Sequence, residues 1–269
     1  MKIVLLCNEQ FNQVALANKV AQHFNLAGIV IEKPTPKKIR SFSSLINKAL
    51  NRTVFSPIHQ SWFGMLAFYK KKYSAFPSVD SITVTKINSE ATINFIAKHQ
   101  PDLVMVSGTS LIRKQLLELV LPKGMINLHT GLSPYIKGAP NCTNWCIAEK
   151  KFHLIGNTIM WLDAGIDSGD IITTALTSIT GRETLLQLHI NVMEHAHELY
   201  LEALKKIDTD LANCPRVKQS SIAEGTTYYN KQWNAKAKWA LLRNFKRMKA
   251  YFSSSLYKED VKAVQTVSL

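Results

Sequence analysis

The chain has 269 residues, 46% of them hydrophobic, and carries 33 basic against 19 acidic side chains for a formal net charge of +14. That length suits one large domain or one domain with an appendage, and the composition is that of an ordinary globular protein able to bury a core. The sequence excludes a disulfide framework, because Cys7, Cys142, Cys146 and Cys214 are sparse and lack CxxC pairing. The apolar start MKIVLLCN is too short for a signal-peptide core, and no apolar run reaches the roughly eighteen residues of a membrane span. A cytoplasmic protein with no integral membrane segment is expected.

KIVLLCN is a short β-branched run suited to a buried strand, Phe11 to Phe24 carries helix-spaced apolar residues, and LAGIVIEK follows as a second strand. A strand, helix, strand unit implies a parallel sheet. From 34 to 79 the alternation is interrupted by a basic, aromatic-rich insertion with some helix. SITVTKI then reads as a strand, Ser89 to His99 as a helix capped by Ser89, DLVMVSG as a buried strand, Leu111 to Leu119 as a helix and MINLHT as the next strand. NTIMWL and DIITTAL form a further strand pair, and a long amphipathic helix runs from Glu183 to Ile207. The fold class expected is α/β, a Rossmann-like, mostly parallel sheet flanked by helices. It spans 1–207, with 208–269 as a mainly helical C-terminal extension. There Trp233, Ala237, Ala240, Leu241, Phe245, Met248 and Phe252 share one helix face, suited either to a homodimer or to covering the core.

The positive charge is concentrated. Pro34 to Val79 holds Lys37, Lys38, Arg40, Lys48, Arg52, Lys70, Lys71 and Lys72 without an acid. Thr226 to Lys258 holds Lys231, Lys236, Lys238, Arg243, Lys246, Arg247, Lys249 and Lys258, again without one. Such surfaces attract folate glutamates, nucleotide diphosphates, RNA or acidic lipid, or are simply solvated; charge alone does not choose.

Chemistry concentrates in INLHTGLSPYIKGAP, from Ile126 to Pro140, and WLDAGIDSGDII, from Trp161 to Ile172. Residues two apart on a strand face one side, so Asn127 and His129 share a space at a strand's carboxyl end, where open α/β sheets bind ligands. A non-titrating amide beside an imidazole can polarise a carbonyl and hold the oxyanion that forms on attack. Asp167, in a glycine-flanked turn, is the candidate carboxylate to orient the imidazole or take a proton. Asp163, Asp167 and Asp170 miss the alternate-residue spacing of a calcium loop, so no metal is required. His189, His195 and His197 read as ordinary helix residues. The absence of G-x-G-x-x-G after the first strand disfavours a dinucleotide.

Asn127-x-His129, then Gly131-Leu-Ser-Pro134 with Tyr135 and Gly138, then Asp163-Ala-Gly-Ile-Asp167-Ser-Gly-Asp-Ile, resembles the 10-formyltetrahydrofolate-dependent formyltransferase family. The family pattern is N-x-H-x-S-L-L-P-x-x-x-G followed by D-x-G or D-A-G. The matched segments, with the strand and helix order around them, cover roughly residues 80 to 205. Here Gly131 stands for the usual Ser, Ser133 for the second Leu and Lys137 for a frequent Arg or Pro. The resemblance implies that Asn127, His129 and Asp167 are the catalytic group, and that 10-formyltetrahydrofolate is the co-substrate. It further implies that the folate pteridine lies against Ser110, Leu111 and Ile112 and the loop of Leu162, Asp163, Gly165 and Asp167.

Members of the family formylate glycinamide ribonucleotide, initiator methionyl-tRNA, hydroxyornithine or nucleotide-linked amino sugars. Chain size and a short helical tail resemble the nucleotide-sugar enzymes most, which implies a nucleotide sugar and folate as partners, basic residues serving folate and diphosphate, and no nucleic acid. The alternative from another class is a non-catalytic homologue. It would hold RNA or an acidic membrane through Trp62, Phe63, Phe68, Tyr69 and Tyr73 beside Lys70 to Lys72 and through the basic tail helix. Aromatics packing the insertion onto the core are the competing explanation.

Overall fold

Five short runs rich in Val, Ile, Leu and Met become parallel strands: β1 (Lys2–Asn8), β2 (Asn25–Glu32), β3 (Asp80–Val84), β4 (Leu103–Ser107) and β5 (Gly124–His129). After β6 (Ile136–Gly138), which pairs elsewhere, β7 (Gly156–Trp161) and β8 (Ile171–Leu176) add an antiparallel edge, giving the order β3-β2-β1-β4-β5-β7-β8. The computed structural model describes residues 1–35 and 50–269; the insertion's Lys37, Lys38, Arg40 and Lys48 lie outside the described residues.

The inner parallel strands β1 and β4 are buried on both faces because both are covered. Ile3, Leu5 and Cys7 of β1 pack beneath α1 (Phe11–His23), whose Leu16, Ala17 and Val20 meet them. The insertion supplies α2 (Ser56–Lys72), which lies on α1, with Met65 and Tyr69 buried beside Ala15. Val4 and Leu6 point the other way, into α3 (Glu90–His99) and α4 (Lys114–Leu117) through Phe95, Ile96 and Leu116. Ser89 caps α3 as expected, its hydroxyl accepting from Thr92 N at 3.4 Å.

The helix expected over Leu111 to Leu119 shrinks to α4. Asn88 takes the preceding segment out of helical pairing: its amide donates to Leu111 O at 2.9 Å and its Oδ1 accepts from Arg113 N at 2.7 Å. A side chain that satisfies the backbone outside a helix competes directly with the helix.

Following β6 come α5 (Cys142–Ala148) and α6 (Leu185–Asp210). A capping box starts α6: Thr184 Oγ1 accepts from Gln187 N at 3.2 Å while Gln187 Oε1 accepts from Thr184 N at 2.9 Å. Leu199, Tyr200, Ala203 and Leu204 of α6 cover the sheet on the α1 side. His189 and His197 face α2, stacking edge-on to Trp62 and tilted on Tyr69, with centroids 6.0 Å and 5.6 Å apart. They are therefore buried interface residues, while His195 bonds Thr177 and Asn157 elsewhere.

The extension contains β9 (Thr226–Tyr228), α7 (Ala235–Phe245), α8 (Met248–Phe252) and α9 (Ser255–Lys262). The single helical stretch expected there is broken at Lys246 and Arg247. Its apolar face nevertheless covers the chain's own core, with Leu241 and Met248 fully buried against α5 residues such as Trp145. The extension also contains a strand that the pattern did not reveal: β9 pairs in parallel with β6. At its end Val267 exchanges hydrogen bonds of 2.9 Å with Thr174 of β8. Of the aromatics in the insertion, Trp62, Phe68 and Tyr73 pack with buried Tyr69, whereas Phe63 is 62% exposed. Among the described residues no helix is long and apolar enough to cross a membrane.

Candidate functional site

The sheet changes from parallel to antiparallel at β5, and β5 ends on His129. Asn127 and His129 project to one side while Leu128 enters the core between them, following the strand's period of two. Asp167 comes from the loop joining β7 to β8 and adopts φ +48°, a left-handed conformation that Asp tolerates better than most residues. Its carboxylate meets both: Oδ2 lies 3.2 Å from His129 Nδ1 and Oδ1 accepts from Asn127 Nδ2 at 3.5 Å.

A third contact fixes the carboxylate. Gly138 N donates to Asp167 Oδ2 at 2.9 Å. Gly138 has φ +93°, and an added Cβ would collide with the Tyr228 carbonyl oxygen across the β6–β9 pair. This backbone donor therefore depends on glycine and on the extension strand. The far side of the imidazole is enclosed, with Nε2 lying 3.3 Å from Ile136 O and 3.4 Å from Cys142 Sγ. Nδ1, shared with Asp167, is thus the nitrogen on the Asn127 side. Burial, reinforced by Cys146 and Asp167, pushes the Cys142 thiol well above its ordinary range, so it remains a neutral S–H.

These residues sit in a cleft of about 600 Å³. Every residue expected to act in catalysis or to meet the folate lines it: Asn127, His129 and Asp167, then Ser110, Leu111 and Ile112, then Leu162, Asp163 and Gly165. Three supports were not legible beforehand. Buried Glu32, at the end of β2, accepts from Ser110 N at 2.6 Å and from Ile87 N at 2.9 Å. Asn88 fixes Leu111, as described above. Gln219 of the extension donates to the carbonyl oxygens of Asp167 and Gly169. Among the described residues no Lys or Arg lines this cleft, so the structure gives the expected service of basic residues to folate and diphosphate no support there. Arg216 lies over the Trp161 ring at 3.7 Å and borders an adjoining hollow of about 350 Å³. Among the described residues no group of three or more His, Cys, Asp or Glu is arranged to hold a metal ion.

The sheet order defines a doubly wound α/β protein, with the polar trio at the carboxyl end of β5. Residues 1–204 match the formyl transferase family, and the chain belongs to it. A methionyl-tRNA formyltransferase from Acetivibrio thermocellus is 25% identical over 217 residues, covering 80% of this chain and 62% of its own length. The chain thus spans less than two thirds of that relative. Among solved structures, a sugar N-formyltransferase from a Shewanella species superposes with a TM-score of 0.57 at 18% identity, covering 91% of this chain and 88% of its own. A 4-N formyltransferase from Francisella tularensis gives 0.55 at 19% identity, with 90% and 87% covered. At such identities the likeness is one of fold.

Proposed function

We propose that the protein is an N-formyltransferase that moves a formyl group from 10-formyltetrahydrofolate to a primary amine, with Asn127, His129 and Asp167 as its catalytic group. The observation that carries this reading is the Asn127–Asp167–His129 constellation, assembled from strand β5 and the β7–β8 loop in the cleft of a chain that belongs to the formyl transferase family. The walls suit the donor: Leu111, Ile112 and Leu162 offer apolar surface to a flat ring, and nearby backbone groups and Asp163 offer hydrogen bonds to its edge.

The folate supplies the formyl carbon. Asn127 Nδ2 has a second N–H beyond the one given to Asp167, and His129, protonated at both ring nitrogens, adds its positive charge beside it; together they are suited to hold the negative charge that builds on the formyl oxygen as the amine attacks. Asp167 keeps the His129 ring in place and is the base within reach for the proton the amine gives up. Removing one such donor typically costs about two to three powers of ten in turnover, so His129→Ala should be nearly silent while still binding folate.

For the acceptor we favour an amino sugar linked to a nucleotide. The likeness to enzymes described as a sugar N-formyltransferase and a 4-N formyltransferase extends over 91% and 90% of this chain and so reaches into the extension. A methionyl-tRNA acceptor is the second reading, favoured by the name of the curated relative. A mass-spectrometric assay with 10-formyltetrahydrofolate and dTDP-, UDP- and GDP-linked amino sugars, glycinamide ribonucleotide and aminoacylated initiator tRNA decides between them. Formylation of a nucleotide sugar alone is the expected result. Formylation of tRNA alone replaces the acceptor, and absence of folate binding removes the activity.

A further inference from the structure

We propose that Cys142 is a positioning residue for His129, holding the imidazole through its thiol; the catalytic consequence rests on the formyl-transfer reading above. The contacts form a closed ring. His129 Nδ1 lies 3.2 Å from Asp167 Oδ2, which accepts from Gly138 N at 2.9 Å. The Gly138 carbonyl accepts from Cys142 Sγ at 3.5 Å, and that sulfur returns to His129 Nε2 at 3.4 Å. A neutral thiol can play both parts at once, its S–H donating to the carbonyl while its lone pair accepts from Nε2–H. Burial keeps the thiol neutral, since Cys142 is 1% exposed.

The sulfur is placed by rigid parts. Cys142 opens α5, whose cap residue Asn141 accepts from Asn144 N at 2.9 Å, and Trp145 Nε1 donates to Ala139 O at 3.1 Å. Gly131 is bare at this point. A Cβ there would lie 2.7 Å from Cys142 Cβ and would also strike His129 Nε2, so any larger residue must displace the ring or the thiol. The Nε2–sulfur contact and the missing side chain at 131 are therefore two sides of one arrangement. Its effect is to fix the ring's rotation so that Nδ1, not Nε2, faces Asp167 and Asn127.

The test compares Cys142→Ala with Cys142→Ser in the full-length protein. The alanine variant should lower kcat about tenfold, of the order of one lost hydrogen bond, with both KM values unchanged. Serine, which keeps a hydroxyl donor and acceptor, should restore most of it. Nitrogen-15 spectra of the histidine rings, with His129 assigned through His129→Gln, should show the Nε2 signal moved in the alanine variant. If Cys142→Ala lowers the melting temperature too far to assay, Gly131→Ala substitutes for it. That variant retains the thiol but presses on the ring, and should likewise lower kcat and move the signal. Full kcat with an unmoved Nε2 signal in the variant assayed, or a serine variant as slow as alanine, overturns the proposal. If the wild-type protein transfers no formyl group, the functional reading falls, while the ring spectra still decide whether Cys142 holds His129.

Discussion

Gln219 donates its side-chain amide to the Asp167 carbonyl oxygen at 2.7 Å and to that of Gly169 at 2.9 Å, across 52 residues of chain. The residue that pins the loop of the candidate carboxylate therefore comes from the extension, beyond the segment matching the family. Its neighbour Val217 exchanges hydrogen bonds with Ile171 at 2.8 and 3.0 Å, fixing the same end of β8. The extension thus bears on the site as well as covering the core.

Gln219→Ala should loosen the 163–169 loop. It removes a buried double donor and leaves two carbonyl oxygens to find other partners, at a cost of about 1–3 kcal/mol. Lower urea resistance together with a fall in kcat is expected. Unchanged kcat in a measurably destabilised variant would show that the loop keeps its shape without the clamp.

Asp167→Asn is the cleanest probe of the carboxylate, because Asn also tolerates the left-handed backbone at φ +48° and has nearly the same volume. The negative charge beside His129 Nδ1 is lost and the base removed. A fall in kcat of about two to four powers of ten is expected, with the melting temperature nearly unchanged. Activity within a few-fold of wild type would assign the proton transfer to another group.

Much of this arrangement could be read from the sequence because it is local. An Asn-x-His at a strand end must share a face, and an Asp between glycines must sit in a turn; the sheet is encoded in runs such as KIVLLCN and DLVMVSG. The supports were hidden because their partners are remote. Glu32 meets Ser110 across 78 residues, and nothing in VIEKP distinguishes it from a solvated acid at a strand end. β9 is three residues long and too short to show a period. The helix expected at Leu111 was shortened by Asn88, whose effect depends on two strands having already been brought together. Propensity describes a segment, whereas these outcomes depend on what the fold brings next to it.

Glu32 gives a prediction for the wall proposed to hold the folate. Its two carboxylate oxygens accept from Ile87 N and Ser110 N, so the buried acid braces the Ser110–Ile112 wall. Glu32→Gln keeps the shape but turns one acceptor into a donor facing a backbone N–H, an unsatisfied pairing worth about 1–3 kcal/mol. The folate KM should rise about fivefold to tenfold, with the acceptor KM unaffected. Equal increases in both KM values would instead indicate general loosening.

His189 ties stability to pH. It is 3% exposed at the α2–α6 interface, and burial lowers its pKa from 6.5 to about 4. His197 is shifted in the same direction by burial, with Lys19 adding to it. The unfolded chain takes up protons below about pH 6.5 that the folded chain refuses until much lower pH, so stability is full above 6.5 and declines as pH falls from there toward 4. At pH 5 the loss approaches about 2 kcal/mol for His189 as an upper limit. Urea midpoints at pH 7.5 and pH 5 should therefore differ more in the wild type than in His189→Asn, which cannot titrate in this range. Equal pH dependence in the two proteins would mean that His189 is already solvated, and that the α2–α6 contact opens at a cost too small to shift its protonation.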